Sequence, residues 1–125
     1  MEIKRSSELN HKLPTSNSEK DYPFALSAEV FKTNQLFLYS EKVRPGTKAS
    51  APHYHRSIDE IIYVTNGELI AVEGSKETKL ESGDFVIFKA NSELLHYLEN
   101  RTGTEATFLI FRRNTKNDDV KFELD

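Results

Sequence analysis

The chain has 125 residues, 37% of them hydrophobic, enough for one globular core and too few for a second of similar size. Its 17 basic and 20 acidic residues leave a formal charge of −3, with the basic residues scattered along the chain. Nucleic acid is therefore excluded as an expected partner, because such binding needs a basic patch that displaces phosphate counterions. There is no cysteine, which excludes disulfides, thiolate metal ligands and thiol nucleophiles. The opening MEIKRSSELN lacks an apolar signal core, and no run approaches the ~18 apolar residues of a membrane span, so a cytoplasmic protein with no membrane partner is expected.

Residues 1–23 are polar, carry two prolines and follow neither a period of 2 nor one of 3.6, which predicts an irregular arm with Leu9, Leu13 and Tyr22 as its docking points. Residues 24–125 are expected to form one domain. The stretch 24–34 fits either a helical turn or a short strand. Gln35–Glu41, rich in aromatic and branched residues, predicts a strand closed by the turn Arg44-Pro45-Gly46. Ser50–Arg56 and Glu60–Thr65 follow. Asn66-Gly67 fits a tight type I′ hairpin turn, with Glu68–Glu73 as the return strand. Gly74-Ser75 turns into Lys76–Leu80, and Glu81-Ser82-Gly83-Asp84 turns into Phe85–Lys89. Leu94–Glu99 and Thr104–Arg113 complete the set, and Val120, Phe122 and Leu124 predict an edge strand in the charged tail. Eight or nine strands spaced about ten residues apart, with no helix, predict an all-β sandwich or barrel of antiparallel sheets.

Three of the four histidines fall in two of these segments. His53 and His55 are separated by one residue, so on a strand both imidazoles point to the same face. Glu60 opens the next strand. His96 lies on a strand whose same-face neighbours are Leu94 and Leu98, and a polar ring buried there needs a partner, since burial without one costs ~1–3 kcal/mol. If the strands close on one another, three imidazoles and one carboxylate meet at one point, as a metal ion requires. Asp59 is a competing carboxylate beside Glu60, and Tyr54 is expected on the opposite face from the histidine pair.

Gly46, His53, His55, Glu60 and Gly67 form the pattern G-x6-H-x-H-x4-E-x6-G, which resembles the first motif of the cupin superfamily of small jelly-roll β-barrels. The second cupin motif has its counterpart in Gly83, Lys89-Ala90-Asn91, His96 and Asn100. Here the family's Pro-x-Gly is replaced, and His96 comes two residues later than in the commonest form. Asn91 tolerates a left-handed backbone, and an insertion of two keeps strand parity, leaving His96 on the inward face. The resemblance covers residues 35–113 and is similar in spacing to a group of small single-domain bacterial cupins. It implies an antiparallel jelly-roll barrel, metal ligands at His53, His55, Glu60 and His96, and a homodimer paired through edge strands.

A set of three imidazoles and one carboxylate without sulfur suits one divalent transition metal ion, and Fe, Mn, Zn, Ni, Co and Cu are not separated by it. Four protein ligands on an octahedral ion leave two positions for a small-molecule ligand or substrate. The expected function is a metal-dependent enzyme of the oxygenase or isomerase type acting on a small metabolite, with a non-catalytic ligand-binding or sensing cupin as the alternative. No general base is singled out: Tyr39, Tyr63, Tyr97 and Lys89 stand near the expected mouth, but parity sets Tyr63 and Tyr97 opposite to the ligands. The mouth should be apolar, lined by Ile62, Val64, Leu94 and Leu98 with one of the pairs Phe85/Ile87 or Val86/Phe88. With no inward cluster of Arg or Lys in view, it should favour a small, partly apolar anion or a neutral carbonyl compound over a sugar phosphate.

Overall fold

A computed structural model describes residues 1–14, 21–115 and 120–122. In chain order the strands are β1 (Leu26–Lys32), β2 (Leu36–Val43), β3 (His53–His55), β4 (Glu60–Asn66), β5 (Glu68–Glu73), β6 (Lys76–Glu81), β7 (Phe85–Phe88), β8 (His96–Glu99), β9 (Ala106–Arg113) and β10 (Val120–Phe122). They form two five-stranded antiparallel sheets, ordered β1-β2-β9-β4-β7 and β10-β3-β8-β5-β6. This is the expected jelly roll. The stretch 24–34, open between helix and strand in the sequence, folds as β1 because pairing with β2 satisfies its backbone. The expected tail strand is present at Val120 and Phe122, paired to the histidine-bearing β3; Leu124 lies outside the described residues.

The sheets close over a core that includes Val43, Ile62, Val64, Leu69, Leu80, Phe88, Leu98 and Phe108. Alternation along β7 settles the pair left open by the sequence: Phe88 is buried and Val86 packs against the core, while Phe85 and Ile87 face outward. Leu94 departs from expectation. It precedes β8 instead of belonging to it, is 48% exposed, and lies over Gly74. The arm docks on its own barrel: Lys12 pairs with Ser27 of β1, and His11 bonds the Ser40 hydroxyl at 2.8 Å.

Asn66-Gly67 is not a hairpin turn. β4 pairs with β7 and β9 in one sheet, whereas β5 pairs with β6 and β8 in the other, so the chain turns a corner between sheets at Gly67. The close packing there explains the glycine. Its φ is +84°, and a Cβ at this position would stand 2.9 Å from the Ala106 Cβ and 3.0 Å from the Glu105 carbonyl oxygen.

Asn100 anchors the chain close to this corner, since it bonds Val43, the cross-strand partner of Ala106. Wholly buried at the end of β8, its side-chain amide donates to the Val43 and Thr104 carbonyls, and its Oδ1 accepts from the Thr102 amide and hydroxyl. Its backbone bonds the Gly46-Thr47 turn in both directions.

Candidate metal centre

The histidine side of the centre comes from one sheet and the carboxylate from the other. On β3 and β8, His53 lies directly across from His96 in the antiparallel register, which brings their ring centroids to 4.7 Å. Alternation on β3 sends His55 the same way as His53. From the facing sheet, Glu60 at the start of β4 projects inward with 5% exposure, beside its cross-strand neighbour Phe88. The Phe88 ring stacks on the His96 imidazole, with centroids 4.0 Å apart and an interplanar angle of 1°.

All three Nε2 atoms face the same oxygen. Glu60 Oε1 stands 3.0 Å from His96 Nε2, 3.4 Å from His55 Nε2 and 3.7 Å from His53 Nε2. The donor atoms of His53, Glu60 and His96 lie within 4.8 Å of one another, as a shared ion needs. The four expected residues are thus together in one place. Asp59 is not with them: it is exposed, and its Oδ1 accepts the Ala90 amide at 2.7 Å, bracing the turn where the family's proline is missing. The left-handed backbone foreseen at Asn91 is present, with φ +59°, and Glu93 adds a second at +60°. These two residues accommodate the longer turn and deliver His96 to the inner face, where it is 3% exposed.

The hydrogen-bonding chemistry of the cluster fits a cation. His53 Nδ1 donates to the Ala51 carbonyl at 2.8 Å, which leaves the lone pair of a neutral imidazole on Nε2, aimed at a carboxylate oxygen. Two acceptors facing each other need a proton or a metal between them. With a proton in that place, His53 donates to Glu60 from Nε2 as well. Burial pushes the Glu60 carboxyl up, but hydrogen bonds from His53, His55 and His96 outweigh it and hold the group well below the usual carboxylate range. Burial likewise pushes the His53 imidazole down, and the Glu60 carboxylate and Ala51 carbonyl more than reverse this, so its net shift is upward.

The centre lies between two adjoining chambers of about 230 Å³ each. Both are lined by Glu41, Ser50, His53, Glu60 and Ile110; the inner adds Ile62, Phe88, Leu98 and Phe108, and the outer adds Phe37 and Arg112. Of the expected apolar lining, Ile62, Leu98 and Phe88 are present, whereas Val64 is wholly buried in the core and Leu94 lies outside; two charged residues were not foreseen. Glu41 pairs with Ser27 and Phe108 across its neighbouring strands, and Arg112 pairs with Phe37, so both share the inward face with Phe108 and Ile110. The available signal was the two-residue alternation of Phe108, Ile110 and Arg112 on a single strand. Arg56 is exposed, as expected, and Arg101 pairs at the surface with Glu77 and Glu99.

Burial pushes the Glu41 carboxyl up to about 7, against the Ser27 hydroxyl that donates to it and the Arg112 guanidinium, both of which pull it down. Its folded value exceeds the unfolded 4.5, so the fold favours the neutral acid, and stability should fall as pH rises from about 4.5 to about 7. At ~1.36 kcal/mol per unit the loss is on the order of 3 kcal/mol. Glu41→Gln, neutral throughout, should match the wild type in urea unfolding at pH 4 and exceed it by that amount at pH 8. The same pH dependence in both proteins would refute this assignment.

The cupin domain family matches residues 39–112, more than half of the chain. The chain belongs to the cupin family. Among solved structures, it resembles a sugar phosphate isomerase of the cupin superfamily from Silicibacter pomeroyi, at 24% identity over 94% of this chain and 78% of that one, with a TM-score of 0.81. The polyketide cyclase RemF of Streptomyces resistomycificus aligns over 100% of this chain and 88% of its own at 14% identity, TM-score 0.78. A predicted oxalate decarboxylase from Thermotoga maritima aligns over 91% and 100% at 20% identity, TM-score 0.73. At these identities the likeness establishes the fold. No curated protein matches in sequence.

Proposed function

We propose that His53, His55, Glu60 and His96 hold one divalent transition metal ion, and that the protein is a metal-dependent enzyme of the oxygenase or isomerase type acting on a small metabolite. The observation that carries this reading is the convergence of three Nε2 atoms on one carboxylate oxygen, beside a chamber large enough for a small molecule. A bound ion would supply Lewis-acid polarisation of a substrate oxygen, or redox chemistry if it were iron. The chain's own part is separable. Glu60 brings one negative charge to the ion, the Ala51 carbonyl orients His53, and Phe88 keeps the His96 ring in plane. Ile62, Leu98 and Phe108 make the inner chamber apolar, which strengthens every charge interaction inside it. Glu41, poised near neutrality on the shared wall, is placed to take or return a proton on substrate within either chamber.

The test is elemental analysis of protein purified without chelator, set against His53→Ala. About one equivalent of metal in the wild type and much less in the variant is expected; a wild type without metal overturns the reading. Oxygen uptake by the iron-loaded protein with small diketones, and solvent deuterium entering hydroxy-carbonyl compounds with the zinc- or manganese-loaded protein, then separate oxygenase from isomerase. Metal binding with neither activity would favour the non-catalytic ligand-binding cupin.

A further inference from the structure

Among the described residues, Arg112 differs from the neighbouring arginines in making no hydrogen bond or ion pair. Arg113 donates to the Ser57 carbonyl and Arg101 to two carboxylates, whereas Arg112 Nε is buried without a hydrogen-bond partner among the described residues, and no ion pair among them holds its charge. A buried donor left unmade costs ~1–3 kcal/mol, and more when charged. The head group is nevertheless well positioned. Its central carbon lies 4.3 Å from the centroid of the Phe37 ring, which itself stacks on Tyr39 at 4.2 Å and 16°. The register places Arg112 two residues beyond Ile110 on the inward face, where it lines the outer chamber with Glu41, His53, His55 and Glu60.

We propose that Arg112 anchors the substrate of this site, taking the carboxylate of a small organic acid into the outer chamber and so presenting the rest of that molecule to the centre formed by His53, His55, Glu60 and His96. The proposal rests on the metal-dependent reading above but draws on different residues. A guanidinium offers parallel N–H donors that match a carboxylate in bidentate geometry, and an acceptor there satisfies the orphaned charge. The charge balance selects a monoanion. With Glu60 committed to the ion, the outer chamber's wall offers one positive charge at Arg112 beside the Glu41 acid, which a single carboxylate matches better than a phosphate dianion. The volume limits size as well: about 230 Å³ holds roughly eight water-sized groups at about 30 Å³ each. Arg112 also pulls down both the Glu41 carboxyl and the His53 imidazole, which places its charge within electrostatic reach of the acid and of the centre.

The test is calorimetric titration of zinc-loaded wild type, Arg112→Gln and Arg112→Lys with pyruvate, with the uncharged pyruvamide and with inorganic phosphate, the metal content of each protein being measured in parallel. Pyruvate should bind the wild type, and at least tenfold more weakly to Arg112→Gln at unchanged metal content. Pyruvamide should bind weakly to both, and phosphate less tightly than pyruvate. Arg112→Lys, which keeps the charge and loses the fork, should fall between them; it carries the test if Arg112→Gln does not fold. Equal pyruvate affinity in wild type and variants overturns the proposal, and so does phosphate binding tighter than pyruvate. Arg112-dependent pyruvate binding by a protein that takes up no metal would overturn the metal reading alone.

Discussion

Glu60→Gln is expected to lower metal affinity by at least about 100-fold, beyond the ~10–100-fold typical of changes to residues that only support a ligand. The substitution keeps the shape of the side chain and removes the single charge on which three Nε2 atoms converge at 3.0–3.7 Å. It should also change the metal-free protein. Removing one member of a buried ionic cluster costs ~3–5 kcal/mol, because the remaining partners stay buried without a counterpart. The pH dependence gives a second readout. The Glu60 carboxyl is held below its unfolded value of 4.5, so its contribution to stability is complete above about pH 4.5 and is lost as pH falls toward the folded value. Wild-type protein should lose this contribution on acidification and Glu60→Gln should not. Chelator competition for zinc and urea unfolding at pH 7 and at about pH 3 measure both effects; unchanged zinc affinity would remove Glu60 from the ligand set.

The other large effect falls on stability alone. Asn100→Ala should destabilise the protein by ~3–5 kcal/mol in urea unfolding, since it leaves the Val43 and Thr104 carbonyls and the Thr102 amide without their partners and opens a cavity. Metal content of the folded variant should match the wild type, because Asn100 ties the Gly46-Thr47 turn to the end of β8 and does not touch the histidine cluster. Asn100→Asp should fall short of full rescue. Its carboxylate can still accept from Thr102 but cannot donate to the two carbonyls. A loss below about 1 kcal/mol for Asn100→Ala would mean that water replaces the amide.

What could be read from the chain was governed by short-range geometry. The shared face of His53 and His55 follows from strand parity, and the inward placement of His96 survives a two-residue insertion for the same reason. The left-handed turn at Asn91 follows from side-chain chemistry, and the strand count from turn residues at regular intervals. Glu60 was separable from Asp59 because six residues stand between it and Gly67, as in the cupin motif it resembles.

Which sheet a strand joins was not local information. Asn66-Gly67 has the composition of a hairpin turn, yet it rounds a corner between sheets because β4 finds better partners in β7 and β9 than in its sequence neighbour β5. Leu94 has the parity of a core residue, but the longer turn ends only at His96 and leaves it outside. Glu41 and Arg112 lie 71 positions apart, counted from 41 to 112, and only the pairing of β2 with β9 makes them neighbours of the histidine cluster. The sequence by itself determined the four residues of the candidate centre, through motif spacing and the two-residue period. Tertiary structure alone decided what surrounds them, because a cavity wall is assembled from strands whose inward faces are set by pairing between distant segments.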